Sequence, residues 1–238
     1  PYLKYQLYRS GLSVELSFGG YDTFWQEVIS KDFSKIKQDI IVTSLLLEQI
    51  EPDYELSNWS VDLLAERLFE LWNLILSKSE GILAINTFLR PFYSDMGFAG
   101  ETNEASLVSK ISQLNEEIKN FAKNQSSEIF VIDWERLIMR LGMEASIDRR
   151  FGYISKAPFK PAFLKLYAEE IAKIGRAKRG KIKKVLVLDC DNALWGGIVG
   201  EDGISGIKLD CNEYPGKAFY DFQKGVLQLF NRGVIIVL

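Results

Sequence analysis

The sequence predicts a three-layer α/β/α protein with mostly parallel sheets, and three observations carry that prediction. Helical and strand patterns alternate along the chain instead of segregating. The strand candidates are short, continuous runs of aliphatic residues, the kind that parallel sheets bury on both faces. The helical candidates repeat apolar residues at three- and four-residue spacing, which gives each of them one face to bury.

The first predicted element is a helix over 1–9, with Tyr2, Leu3, Tyr5, Gln6 and Leu7 ahead of Gly11. A strand is expected at Leu12-Ser-Val-Glu-Leu16, followed by Gly19-Gly20, a helix from Thr23 to Ile29 and a strand over 40–46. Asn58 is placed to cap a long amphipathic helix over 59–78, in which Leu63, Leu64, Leu68, Leu71 and Leu74 recur at helical spacing. Gly81 ends it and opens the strand Ile82-Leu-Ala-Ile85; a helix over 102–123 and a strand over 129–132 follow, the latter running into Asp133-Trp134. Lys156-Ala-Pro158-Phe-Lys-Pro161 reads as a turn and helix start, because proline fits the first turn of a helix. The organisation expected is therefore a first domain over 1–157, a connector helix with a basic linker over 158–183, and the start of a second domain over 184–238.

Composition excludes several classes of function. With 238 residues, 47% of them hydrophobic, the chain has the core for one or two domains of about 150 residues. A net charge of −3 gives no general basic footprint for nucleic acid. No apolar stretch approaches the roughly 20 residues of a membrane helix, and no secretory pattern opens the chain, so the reading is cytoplasmic and without a membrane partner. Cys190 and Cys211 have neither metal-ligand nor disulfide-framework spacing. The chain contains no histidine, which removes Ser-His-Asp and Cys-His nucleophile systems and histidine-ligated metals. Chemistry here falls to carboxylate, lysine, hydroxyl or thiol groups.

The segment that supplies such chemistry is the apolar run Val185-Leu-Val-Leu188 followed by Asp189-Cys-Asp191-Asn-Ala-Leu-Trp195-Gly196-Gly197. Two carboxylates two residues apart leave a strand at the end where open α/β sheets bind ligands. One carboxylate can attack phosphorus to give an aspartyl-phosphate while the other, protonated, supplies the leaving oxygen with its proton. Magnesium, a hard ion, suits carboxylate and phosphate oxygens and offsets the repulsion between them. The alternative is that Asp189 and Asp191 only cap a turn after a core strand. Cys190, between them, is expected to point to the opposite face as a buried spacer.

Residues 184–238, through Gly197-Ile-Val-Gly200-Glu-Asp-Gly203-Ile-Ser-Gly-Ile-Lys208 and on to Arg232-Gly233, closely resemble the haloacid-dehalogenase-type (HAD) domain of the FkbH-like family, subfamily IIIC of that superfamily. The resemblance implies that 184–238 is the first half of a HAD Rossmann-like domain. It implies Asp189 as nucleophile and magnesium ligand, and Asp191 as general acid/base that also binds the metal through its backbone carbonyl. Asn192, Trp195, Gly196 and Gly197 are implied as substrate-binding, with Trp195 at the site mouth or, equally, anchoring the flap, and with the glycines of 196–203 forming a flap hairpin. Ala193 stands where the family motif has threonine, so a hydroxyl that helps organise the loop is missing. The chain stops at Leu238, before the family's later motifs, so it reads as a piece of a longer protein and is expected to be inactive alone.

The resemblance extends more loosely to 1–157, where the family is similar to SGNH hydrolases of flavodoxin-like fold. An SGNH enzyme would show Gly-x-Asn-Asp where Leu46-Leu-Glu-Gln49 stands, and Asp-x-x-His where Asp148-Arg-Arg-Phe151 stands, so a non-catalytic domain is expected. Trp25, Trp59, Phe88, Tyr93 and Trp134, with Arg90 and Arg150, are candidates for a recognition surface or for ordinary core and surface positions. The family resemblance further implies a phosphorylated small-molecule substrate, glyceryl transfer from a phosphoglycerate and an acyl carrier protein as partner; the alternative is a catalytically weak binding module for a carrier protein or sugar phosphate.

Overall fold

The strand β2 (Ile82–Asn86) is buried along its whole length because a helical layer covers each of its faces. It is the middle strand of a parallel sheet of order β1-β2-β3, with β1 (Ile40–Val42) and β3 (Ile129–Ile132) on either side. The computed structural model describes residues 1–20, 23–30, 38–125 and 129–238. These form two compact units, Pro1–Arg179 and Gly180–Leu238.

In the first unit, alternation along β2 sorts the core into two layers. Leu83 and Ile85 face a cluster built by α4 (Val61–Ser77) and α5 (Leu107–Asn124), with Leu64, Leu68, Trp72, Ile111, Leu114 and Ile118. Ile82 and Ala84 face the other way, onto Trp134 and Leu137 of α6 (Trp134–Leu141) and onto Phe163, Leu166, Tyr167 and Ile171 of α9 (Pro161–Lys178). This is the period-two burial that a strand between two helical layers must have. Each fully buried leucine contributes about 1.5–3 kcal/mol through burial. Among the described residues this unit also has the α-helices α1 (Tyr2–Arg9), α2 (Phe24–Ser30), α3 (Leu47–Ile50), α7 (Met143–Ser146) and α8 (Arg149–Ser155).

Local signals account for the element ends, with corrections to the sequence reading. The cap of α4 is Ser60, whose hydroxyl accepts the Leu63 amide at 3.4 Å, and not Asn58. Within α4, Leu64, Leu68 and Leu71 are buried as expected, while Leu63 is exposed. Ser106 caps α5 by accepting the Ser109 amide at 3.1 Å. Gly81 has a steric reason, since a Cβ there would sit 2.6 Å from the Gln38 carbonyl oxygen. Pro161 occupies the first turn of α9, as predicted. No strand forms over 12–16. Leu12 is instead buried beside Leu7 and Ala172, with Leu16 against the same cluster, so its apolar residues pack on helices and its backbone has no ladder partner.

The helix expected to act as a connector is a core element of the first unit. Phe163 is fully buried and Ala168, Ile171 and Ala172 nearly so. Arg179, the first residue after it, is also tied down there, pairing with Asp39 at 2.8 Å, while Lys173 within the helix pairs with Glu170 at 2.6 Å.

The second unit contains β4 (Val185–Val187), α10 (Val199–Gly206), α11 (Gly216–Asn231) and β5 (Ile235–Val237). β4 and β5 pair in parallel with Val185 opposite Ile235 and Val187 opposite Val237. These four side chains share one face and are exposed, between 43% and 71%, so the apolar run of β4 is not buried on both faces as the sequence suggested. Among the described residues this sheet has two strands.

Candidate active site

Asp189 follows the C-terminal end of β4 at the point where the strand has made its last ladder bond, from the Leu188 amide to the Val237 carbonyl at 2.9 Å. Its carboxylate is exposed, and Oδ1 accepts the Cys190 amide at 2.8 Å. The chain then turns back through the Leu194 amide, which donates to the Cys190 carbonyl at 2.8 Å. That turn brings Asp191, Asn192, Trp195, Gly196 and Gly197 into one hydrogen-bonded cluster.

Asp191 is half-buried, and its Oδ1 accepts two hydrogen bonds, from Trp195 Nε1 at 2.9 Å and from the Val199 amide at 3.2 Å. Asn192 takes a left-handed backbone, φ 55°, which asparagine tolerates better than most residues, and its Oδ1 accepts the Gly197 amide at 2.9 Å. The loop is thus organised by Asp191 and Asn192 although Ala193 carries no hydroxyl. Gly196 is buried and pairs with Lys208 through two backbone bonds, 3.1 and 2.7 Å. A Cβ at Gly196 would come within 2.8 Å of the Phe219 ring and 3.1 Å of Lys208 Cβ, so the glycine is what lets α11 approach.

The glycine-rich segment is not a plain hairpin. Its base is the antiparallel Gly196–Lys208 bridge, but the chain between is helical, α10, broken at Gly203 with φ 69° and ψ 172°. Sequence reasoning missed two side chains that hold it. Asp202 Oδ2 accepts the Ile198 amide at 2.8 Å. Gln223 Nε2 on α11 donates to the Leu194 carbonyl at 2.7 Å; a glutamine one helical turn after Phe219, on the half-buried side of α11, was the available signal. Cys190 is half-buried and its thiol is free.

Among the described residues no group of three or more His, Cys, Asp or Glu side chains is placed to hold a metal ion. The oxygen donors of Asp189 and Asp191 still suit magnesium, which commonly binds through one or two carboxylates and keeps several waters.

The corresponding edge of the first unit is built differently. Asn86, at the end of β2, is buried and bonds back to backbone: its Oδ1 accepts the Leu45 amide, and its Nδ2 donates to the Leu45 and Thr87 carbonyls, at 2.9, 2.9 and 3.1 Å. Asn115 clamps the Phe88 amide and carbonyl in the same manner, both at 2.8 Å. Ser44 shares a 2.7 Å hydrogen bond with Tyr167, whose hydroxyl burial pushes up to about 12 against the opposing effect of that bond. Gln49 accepts the Leu46 amide, and Asp148 accepts the Arg150 amide at the start of α8. Phe151 is half exposed. Of the aromatics considered for recognition or for ordinary core positions, Trp59, Phe88 and Trp134 are buried core residues, packed against the helices on either face of the sheet. Trp25 lies under Arg67, and Arg90 pairs with Glu135 at 2.9 Å. Tyr93 alone of the five is strongly exposed, beside Phe92 and below Arg149.

The fold has a solved counterpart. The crystal structure of the N-terminal part of the protein BF1531 from Bacteroides fragilis, containing a phosphatase domain and complexed with Mg, matches 99% of this chain with a TM-score of 0.83 and 24% sequence identity. The chain spans 63% of that structure's chain. At this identity the likeness shows the fold: an α/β protein with parallel strands, shared with a phosphatase-containing structure. No protein-family model and no curated protein matches the chain. No helix among the described residues is long and apolar enough to cross a membrane.

Proposed function

We propose that the Asp189–Asp191 loop is the centre of a magnesium-dependent phosphoryl-transfer site of the HAD type, in a protein of the FkbH-like family. The observation that carries this reading is the unequal setting of the two carboxylates. Asp189 stands exposed at the end of a parallel strand, while Asp191 is held by two donors on one oxygen. A nucleophile must reach phosphorus, and an acid/base must be oriented.

The chemistry closes without any other side chain of the loop. An Asp189 oxygen bonds to phosphorus of a phosphate ester as the ester P–O bond breaks, and the departing alkoxide takes the proton of Asp191. Water then attacks the aspartyl-phosphate, gives its proton to Asp191, and the bond to Asp189 breaks to release inorganic phosphate. The Asp189 carboxylate and the Asp191 carbonyl oxygen would hold magnesium, which would supply charge to offset the meeting of two anions. That the BF1531 structure is complexed with Mg supports this ion. The family resemblance supports a phosphorylated small molecule as substrate and, more finely, glyceryl transfer to an acyl carrier protein with dephosphorylation; the SGNH-like first unit then serves as a scaffold, its sheet edge fastened by Asn86 instead of offering an esterase site. Free thiols at Cys190 and Cys211 fit a cytoplasmic setting.

The test is hydrolysis of p-nitrophenyl phosphate by the full-length protein with magnesium and with chelator. Activity that needs magnesium and disappears in Asp189→Asn supports the reading. Activity unchanged by Asp189→Asn refutes it, and a folded, magnesium-binding protein without turnover supports a binding module instead.

A further inference from the structure

Trp195 was expected to touch substrate or to anchor the flap, but its indole nitrogen is spent on a carboxylate. Trp195 Nε1 donates to Oδ1 of Asp191 at 2.9 Å, and the second donor on that oxygen is the Val199 amide at 3.2 Å. Both donors converge on the same oxygen. A carboxylate whose Oδ1 already accepts two N–H bonds is fixed in rotation about its χ2, a torsion that is otherwise broad, and only Oδ2 is left for exchange with a reacting group. Resting on the acid/base role proposed for Asp191, we infer that Trp195 is a positioning residue: its indole N–H, with the Val199 amide, selects Oδ2 of Asp191 as the oxygen that gives and takes the proton.

The surroundings make the indole a fixed donor. Leu194, the preceding residue, is buried, and its carbonyl is held by Gln223 from α11 at 2.7 Å. Gly196, the following residue, is pinned to Lys208 by two backbone bonds and packs on Phe219. Trp195 is therefore clamped on both sides, and the Val199 amide that shares its acceptor is fixed by the Asp202 carboxylate on the neighbouring Ile198 amide. A hydrogen-bond donor supported this way loses little freedom when it holds the carboxylate. A substrate contact, in contrast, would leave the indole N–H open to the ligand.

The inference is read first in the 238-residue chain without any activity. The chain holds five tryptophans, so an ¹⁵N-labelled sample gives five indole cross-peaks, and Trp195→Phe assigns one of them. That peak should show slowed proton exchange with solvent, at least tenfold below a free indole, and should move and lose its protection in Asp191→Ala while the peaks of Trp25, Trp59, Trp72 and Trp134 stay in place. A Trp195 indole exchanging at the free rate in the unaltered chain overturns the inference, and that measurement holds even if Asp191→Ala fails to fold. In the full-length protein, Trp195→Phe should lower kcat on p-nitrophenyl phosphate by about tenfold, part of the roughly 10²–10⁴ that a positioned acid/base supplies, with KM nearly unchanged. A rise in KM with kcat intact assigns Trp195 to substrate and overturns the positioning role. Persistence of full activity in Asp189→Asn would instead sink the phosphoryl-transfer reading while leaving the indole hydrogen bond standing.

Discussion

Replacing Asn86 with alanine tests the claim that the sheet edge of the first unit is a fastening and not a site. The side chain is 2% exposed and makes three hydrogen bonds to backbone, two of them to the amide and carbonyl of Leu45, itself 4% exposed. Alanine leaves that amide and that carbonyl buried without partners. Each unsatisfied buried group costs about 1–3 kcal/mol, so Asn86→Ala should destabilise the unit by roughly 2–6 kcal/mol. Against a total of about 5–15 kcal/mol this is a large fraction. For a unit of this size it corresponds to a fall in Tm of roughly 5–20 °C. Urea unfolding followed by circular dichroism reads the loss as a lower midpoint at constant slope. The exposed Asn103, whose Oδ1 accepts only the Ala105 amide, is the control, and Asn103→Ala should cost under about 1 kcal/mol. An Asn86→Ala protein within about 0.5 kcal/mol of the parent would show that the edge is open to water or ligand, and the scaffold reading of that edge would fall.

Two further outcomes follow from the geometry. Gly196→Ala forces a methyl group against Phe219 and Lys208 Cβ and should cost about 1–3 kcal/mol in the second unit, visible as a changed Trp195 indole peak; an unchanged peak and unchanged stability would mean that α11 does not press on the loop. Glu48 is held above the ordinary carboxylate range, chiefly by burial and secondly by Glu55, with Lys156 opposing. A raised acid binds its proton more tightly in the folded state, so the cost is absent below an ordinary value of about 4.3 and grows as pH rises through the folded value. Glu48→Gln should therefore raise stability slightly at pH 7, by less than about 0.5 kcal/mol given its exposure, and the gain should vanish near pH 4; a gain that is equal at both pH values would refute the electrostatic cause.

What the sequence made legible were features set by neighbours close in the chain. The buried stripe of α4 at Leu64, Leu68 and Leu71 and the proline start of α9 depend on helical spacing and on φ, and both are where the pattern put them. The strand β2 was legible because its run is apolar without interruption. What was not legible depended on distant partners. Leu12 and Leu16 carry strand alternation yet pack beside Leu7 and Ala172, and Val185 and Val187 read as buried yet lie exposed, because the layer over a strand is supplied by other elements. In the loop after β4 the pair Asp189 and Asp191 was visible from spacing, but the donors on Asp191 were not. A tryptophan four residues on and an amide eight residues on meet one oxygen only once the turn at Asn192 and the Gly196–Lys208 bridge have closed.

The seating of α1 on α9 bears on the order in which the first unit can assemble. Leu7 of α1 is buried against Leu12 and Ala172, and Gln6 bonds to Glu169, a partner 163 residues away. An eight-residue helix is too short to persist alone in water. Until α9 has left the ribosome, α1 lacks Ala172 and Glu169 as partners, a wait on the order of ten seconds during synthesis at about 5–20 residues per second. The parallel sheet and α4 and α5 can gather first, each between near neighbours in the chain, whereas closing α1 onto α9 is the long-range step that completes the unit.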